Sequence, residues 1–191
     1  MGEDLQHYIK RIKEGDEQAF QYVYNQTKDE VYRTVRYLVN CQADVCDIVS
    51  EIYLEMIRSI EKYDNRKPFR SWLSGLAVRQ TSNWNRKLWR MFRIVEKKKQ
   101  FLDTQVEESP ENKAVSDEKS RELFHLLGGL SYKLRVVIVL RYYQQKSLAE
   151  IAETLRIPLG TVKSRHDSAI KKLRDAATHH FEEKETVLHV Y

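Results

Sequence analysis

The chain has 191 residues, room for one or two domains that each bury their own core, and its 6 Gly and 3 Pro accompany no long run of strand-like alternation. A sheet-built fold is thereby excluded, and the expected class is all-α. The formal net charge of +5 is modest, but most of the excess is gathered in one block, which points to a polyanionic partner.

A first helix is predicted from about Asp4 to Lys13, with Gly15 as its stop. Asp16 caps a second, with Ala19, Phe20, Val23 and Tyr24 as its inward stripe. After Asn25-Gln26-Thr27 the helical pattern continues through Val31, Val35, Leu38 and Val39 to about Asn40. These segments read as scaffold. Cys41 and Cys46 lie five apart without a CxxC or a nearby histidine pair, so reduced thiols in a soluble, cytoplasmic protein are expected, and no metal site.

Ala43 to Tyr63 carries the clearest amphipathic pattern of the first half. Val45, Ile48, Val49, Ile52, Tyr53, Met56, Ile57 and Ile60 make a wide apolar stripe, and Asp44, Asp47, Glu51 and Glu55 project from the other side. Four carboxylates on one face are either plain solvated surface or a dock for a basic partner. Tyr63 to Pro68 is a turn-rich loop, and Phe69 to Arg93 is a long helix anchored by Phe69, Trp72 and Leu73. From Arg79 to Lys99 eight basic residues face one acid, Glu96, and Trp84, Trp89 and Phe92 interleave with Arg86, Lys87, Arg90 and Arg93. Cations neutralise phosphates while flat rings stack on unpaired bases, so the block suits single-stranded or melted DNA. A helix whose tryptophans are core and whose bases merely solubilise it is the competing reading; Trp72 is expected in the core.

From Gln100 to Glu118 the composition flips: Asp103, Glu107, Glu108, Glu111, Asp117 and Glu118 outnumber Lys113 around Pro110. This reads as a flexible acidic linker, either a solvated spacer or an imitation of nucleic-acid charge. Beyond it, Leu123, Phe124, Leu126 and Leu127 form a helix ended by Gly128-Gly129. Ser131 is placed to cap the next helix, in which Leu134, Val137, Ile138 and Leu140 pack.

The stretch Ser147 to Leu173 is the most informative. Ser147 and Glu150 have the spacing of a capping box, and Leu148, Ile151, Ala152 and Leu155 form the apolar face behind it. Arg156 to Gly160 breaks the pattern at Pro158, and a second helix is predicted from about Thr161. Val162, His166, Ala169, Ile170 and Leu173 fall on one side of it. Thr161, Ser164, Arg165, Ser168 and Lys172 fall on the other, with Lys163 and Lys171 nearby. Small hydroxyls among cations suit a major groove, as in a helix-turn-helix with its second helix as the reader. A helical hairpin with a solvated basic face is the plainer alternative. His179 and His180 are adjacent and point to different sides of a helix, so they propose no metal. No phosphate loop, GxSxG or HExxH is present.

These segments together resemble the extracytoplasmic-function (ECF) group of bacterial RNA polymerase sigma factors, members of the sigma-70 family. The resemblance rests on Gly15-Asp16-Glu17-Gln18-Ala19-Phe20, Asp47-Ile48-Val49-Ser50-Glu51-Ile52-Tyr53-Leu54, Phe69-Arg70-Ser71-Trp72-Leu73 and Gly160-Thr161-Val162-Lys163-Ser164-Arg165, in that order. It implies a sigma-2-like helical bundle at 1–98, the acidic linker at 99–118, a sigma-4-like helix-turn-helix domain at 119–178 and a tail at 179–191.

By the same implication, Asp44, Asp47, Glu51 and Glu55 dock on the beta prime clamp helices of core RNA polymerase, and the second domain touches the beta flap. Promoter DNA would meet the protein twice. Tyr63, Asn65, Arg66, Phe69, Arg79, Asn83, Trp84, Arg86 and Lys87 would open the minus-ten element and hold a flipped base. Thr161, Lys163, Ser164, Arg165, Ser168, Lys171 and Lys172 would read the minus-thirty-five element. An anti-sigma factor is the further partner implied; no cofactor, small-molecule substrate or catalytic residue is. Cys46 and Ser50 stand where the family often has glutamate and glutamine, Arg79 where asparagine is common, and Ser168 where a basic residue is frequent. His166 replaces a usual aliphatic residue and is expected to be half-buried. The rivals are a dimeric operator-binding regulator and a protein-binding helical adaptor.

Overall fold

The computed structural model describes residues 5–99 and 118–188, with side chains described for 5–91 and 122–178. Every regular element among them is helical. They fall into two compact units, one on each side of a division after Ala114. Most of the expected linker, Phe92 and Arg93 as side chains, and His179 and His180 as side chains lie outside what is described.

The first unit contains α1 (Gln6–Lys13), α2 (Glu17–Leu38), α3 (Val45–Ser59) and α4 (Phe69–Lys99), with short 3-10 turns at Gln42–Asp44 and Ile60–Lys62. Gly15 ends the α1 turn at φ +86°, a conformation that costs a side chain energy. Asp16 then caps α2 by accepting from the Ala19 amide at 3.0 Å. The Ala19 amide first, and the Arg11 guanidinium next, hold the Asp16 carboxyl below its ordinary range.

Where the sequence left a seam at Asn25-Gln26-Thr27, α2 runs unbroken. The Thr27 hydroxyl is satisfied within it, donating to the Val23 carbonyl at 2.7 Å. With that proton spent, the Tyr53 hydroxyl 2.8 Å away must be the donor between them, and burial pushes the Tyr53 phenol well up. Arg70 pairs with Glu30 and donates to the Gln26 carbonyl at 3.1 Å, tying the start of α4 to α2. Val23, Val35, Ile48, Ile52, Met56 and Leu76 fill the core between α2, α3 and α4. Each such side chain, fully buried, stabilises the fold by about 1.5 to 3 kcal/mol in transfer terms.

The second unit contains α5 (Glu118–Gly128), α6 (Tyr132–Ile138), a π-helical turn (Val139–Tyr143), α7 (Leu148–Leu155) and α8 (Leu159–Leu188). Six consecutive residues, Arg135 to Leu140, are buried, so the chain is enclosed on all sides where α6 meets the turn, while Lys133, Arg141 and Tyr142 at either end are exposed. Leu134 is only half-buried, while Val136 and Val139 join the core. Ser131 occupies the N-cap position of α6 with no hydrogen bond from its hydroxyl to the helix. The second helix of the pair begins at Leu159, two residues before the expected Thr161. Its first turn is closed by the Pro158 carbonyl, which accepts from the Thr161 and Val162 amides at 2.9 and 3.2 Å. It continues to Leu188 through most of the stretch read as tail.

Candidate functional site

In the second unit the expected capping box is complete. The Glu150 amide donates to the Ser147 hydroxyl at 3.2 Å, and the Ser147 amide donates to the Glu150 carboxylate at 2.7 Å. The Ser147 side chain, followed by its backbone, holds the Glu150 carboxyl below its ordinary range. Arg156 closes α7 in the left-handed region at φ +55°, with the Ile157 amide returning to the Ala152 carbonyl at 3.1 Å.

That tight turn delivers α8 with Val162 and Ala169 fully buried and Ile170 and Leu173 half-buried. Lys163, Ser164, Ser168, Lys171 and Lys172 are exposed, and Thr161 and Arg165 are half-buried at the margin. The face is therefore open, polar and cationic. His166 is half-buried, its Nε2 3.1 Å from the Tyr142 hydroxyl and its Nδ1 3.2 Å from the Asp167 carboxylate. Tyr142, on the π-helical turn, is a neighbour of the reader helix that the sequence reading did not select.

In the first unit, Asp47 and Glu51 are exposed one turn apart on α3, while Asp44 and Glu55 are half-buried. Their setting differs from expectation. Leu54 and Ile57 stand beside them with 45% and 46% of their surface exposed. Ile57, assigned inward from the sequence, is seven residues from Ser50 and three from Leu54, and it shares their outward row. The acidic pair is thus bordered by two exposed apolar side chains.

The loop after α3 is ordered by its own hydrogen bonds. The Asp64 carboxylate accepts from the Arg66 amide at 3.0 Å, and the Asp64 carbonyl accepts from the Lys67 amide at 3.1 Å. Asn65 and Arg66 are exposed on it. Tyr63 and Phe69, expected to meet a base, are instead each 4% exposed. Their rings pack on one another and on Trp72, with centroids 5.2 to 5.7 Å apart, so neither face is open for stacking. They anchor the two ends of the loop.

Along α4, Arg79, Asn83, Arg86 and Lys87 are exposed, and Arg86 donates to the Asn83 side-chain carbonyl. Trp84 is half-buried against the core. Lys87 Nζ lies 5.6 Å from its ring centroid, and its buried Nε1 has no hydrogen-bond partner among the described residues. Among the described side chains of α4, the ring free to stack is Trp89, 67% exposed. The sequence placed Trp89 in the basic block but not among the site residues, because periodicity alone does not separate the two indoles.

Among the described residues no cluster of His, Cys, Asp and Glu is arranged to hold a metal, and no helix is long and apolar enough to cross a membrane. Cys41 and Cys46 are exposed free thiols.

Two family models match the chain: Sigma-70 region 2 over residues 23–91 and Sigma-70, region 4 over residues 126–175. The ECF RNA polymerase sigma factor SigW of Bacillus subtilis is 31% identical over 186 residues, covering 87% of this chain and 95% of its own. The ECF RNA polymerase sigma-E factor of Escherichia coli K12 is 29% identical over 177 residues, covering 86% and 91%. Among solved structures, CnrH in complex with the cytosolic domain of CnrY has a TM-score of 0.67 at 20% identity, covering 92% of this chain and 99% of that one. The sigma factor RpoE of Bartonella quintana, in complex with the anti-sigma factor NepR, gives 0.64 at 16% identity, covering 83% and 96%.

Proposed function

The chain belongs to the sigma-70 family of RNA polymerase sigma factors, in its extracytoplasmic-function group, and from that premise we propose how its residues divide the work of starting transcription. It binds core RNA polymerase and promoter DNA. The polymerase does the chemistry; this chain supplies position.

The exposed α3 surface of Asp47, Glu51, Leu54 and Ile57 docks on the beta prime clamp, the carboxylates meeting basic side chains and the apolar pair supplying dry contact. Asn65 and Arg66 on the ordered loop meet the minus-ten base. Arg79, Asn83, Arg86, Lys87 and the open ring of Trp89 line the separated strand, while Trp84 stiffens the helix beneath them. Lys163, Ser164, Arg165, Ser168, Lys171 and Lys172 enter the upstream major groove, with the hydroxyls and Arg165 toward base edges and the lysines toward phosphate. The second unit also reaches the beta flap. An inhibitory protein is part of the proposal, since the similar RpoE structure is of a complex with the anti-sigma factor NepR, and we place it on the polymerase-facing surfaces.

The observation that carries this division is the acidic and apolar α3 face. An operator-binding regulator gives it no task, whereas a polymerase subunit needs such a dock. Charge reversal tests it. The variant Asp47→Lys with Glu51→Lys is expected to lose co-elution with core polymerase while its helical circular dichroism and melting stay unchanged. Full polymerase affinity in that variant overturns the assignment.

A further inference from the structure

The family match to the first unit begins at residue 23, which leaves α1 without an assigned role. Its first residue nevertheless reaches across the chain to the loop proposed to meet the minus-ten base. Gln6 Nε2 donates to the Tyr63 hydroxyl at 3.0 Å and lies 3.5 Å from the Asn65 carbonyl oxygen. The Tyr63 hydroxyl in turn donates to the Lys67 carbonyl.

The donors and acceptors balance. A primary amide nitrogen has two N–H bonds and a phenol has one O–H. Here the amide's two are directed at Tyr63 and Asn65, and the phenol's one at Lys67. Gln6 thus holds the two carbonyls on either side of Arg66 by a relay of two branches, that of Asn65 directly and that of Lys67 through the buried Tyr63 ring. Tyr63 cannot swing away, because it is packed on Phe69 and Trp72. Within the loop, the Asp64 turn fixes only the Arg66 and Lys67 amides. The Asn65 and Lys67 carbonyls are fixed from outside by the relay.

We propose that Gln6 is a positioning residue for promoter recognition: directly and through Tyr63 it sets the backbone that aims the Asn65 and Arg66 side chains at DNA. This rests on the reading of that loop as the minus-ten contact, and the test separates the two.

Run-off transcription with core RNA polymerase and the full chain is measured on promoter pairs that differ at one minus-ten base, giving a selectivity ratio. Gln6→Ala removes both amide donors, and Tyr63→Phe removes the hydroxyl but keeps the packed ring. Each is expected to lower the ratio roughly fivefold, as loss of one aiming hydrogen bond would. The two together are expected to do worse than either alone but by less than the product of the two, since Tyr63→Phe leaves Gln6 on Asn65, Gln6→Ala leaves Tyr63 on Lys67, and both remove the Gln6–Tyr63 bond. Dependence on the upstream element stays unchanged, a split that general destabilisation would not give.

Asn65→Ala with Arg66→Ala is the reference variant. If it loses selectivity and Gln6→Ala and Tyr63→Phe do not, the relay is overturned and the loop assignment stands. If the reference variant also keeps full selectivity, the loop assignment falls and the relay with it.

Discussion

Arg135, on α6, is the one buried cation among the described residues of the second unit, 5% exposed. Its Nη2 donates to the Gly128 carbonyl at 3.0 Å and the Leu130 carbonyl at 3.2 Å, closing the turn in which α5 ends. Burial lowers its pKa from the ordinary arginine value, so the charge is held at some cost. Arg135→Met keeps the stem and removes the guanidinium. The Gly128 carbonyl, on an exposed residue, then regains water and loses about 0.5 to 1 kcal/mol net. The Leu130 carbonyl belongs to a buried residue and stays dry, at about 1 to 3 kcal/mol. Relief from burying a cation offsets part of this, leaving a destabilisation of about 1 to 3 kcal/mol. Hydrogen exchange read by mass spectrometry on the α6 amides is therefore expected to lose protection by roughly fivefold to 150-fold. The α3 amides should be unaffected. Unchanged α6 protection in Arg135→Met, or an equal loss in α3, would refute the clamp role.

Ser164→Ala with Arg165→Ala is expected to weaken discrimination at the upstream element by about 1 to 3 kcal/mol per lost base contact, read from transcription of upstream-element variants. Unchanged promoter usage would count against the reader face. Ser147→Ala removes the hydroxyl that accepts from the Glu150 amide and should cost about 1 kcal/mol by urea unfolding. Asp16 and Glu150 both have folded-state pKa values lowered by hydrogen bonds. Their contribution to stability is therefore full above the ordinary carboxylate range and is lost as pH falls through the depressed folded values. The urea midpoint should drop on acidification, and Asp16→Asn with Glu150→Gln should flatten that drop. A pH profile identical to that of the unaltered chain would contradict it.

The helix-turn-helix was legible because its signals are local. Ser147 and Glu150 are three apart, Pro158 breaks the pattern in place, and Val162 and Ala169 mark the buried side of α8 by period alone. The α3 stripe was legible for the same reason, except at Ile57. There an apolar residue was assumed to face inward, although the helical angle places it beside Leu54.

What escaped the sequence depends on contacts between distant residues. Gln6 and Tyr63 are 57 positions apart, and nothing near either residue announces the other. The family resemblance alone places Tyr63 and Phe69 at the minus-ten base. Only packing against Trp72 shows that their faces are taken. Arg135 sits in an apolar run, where a lone cation reads as a surface residue until two backbone carbonyls are found around it.

The central claim is that this chain redirects RNA polymerase. Core polymerase is assayed on a promoter library with and without the purified protein. Discrete run-off products that need both components, sharing sequence at the minus-thirty-five and minus-ten positions, are the predicted result. A start-site profile identical in the presence and absence of the protein, on every template, would contradict it.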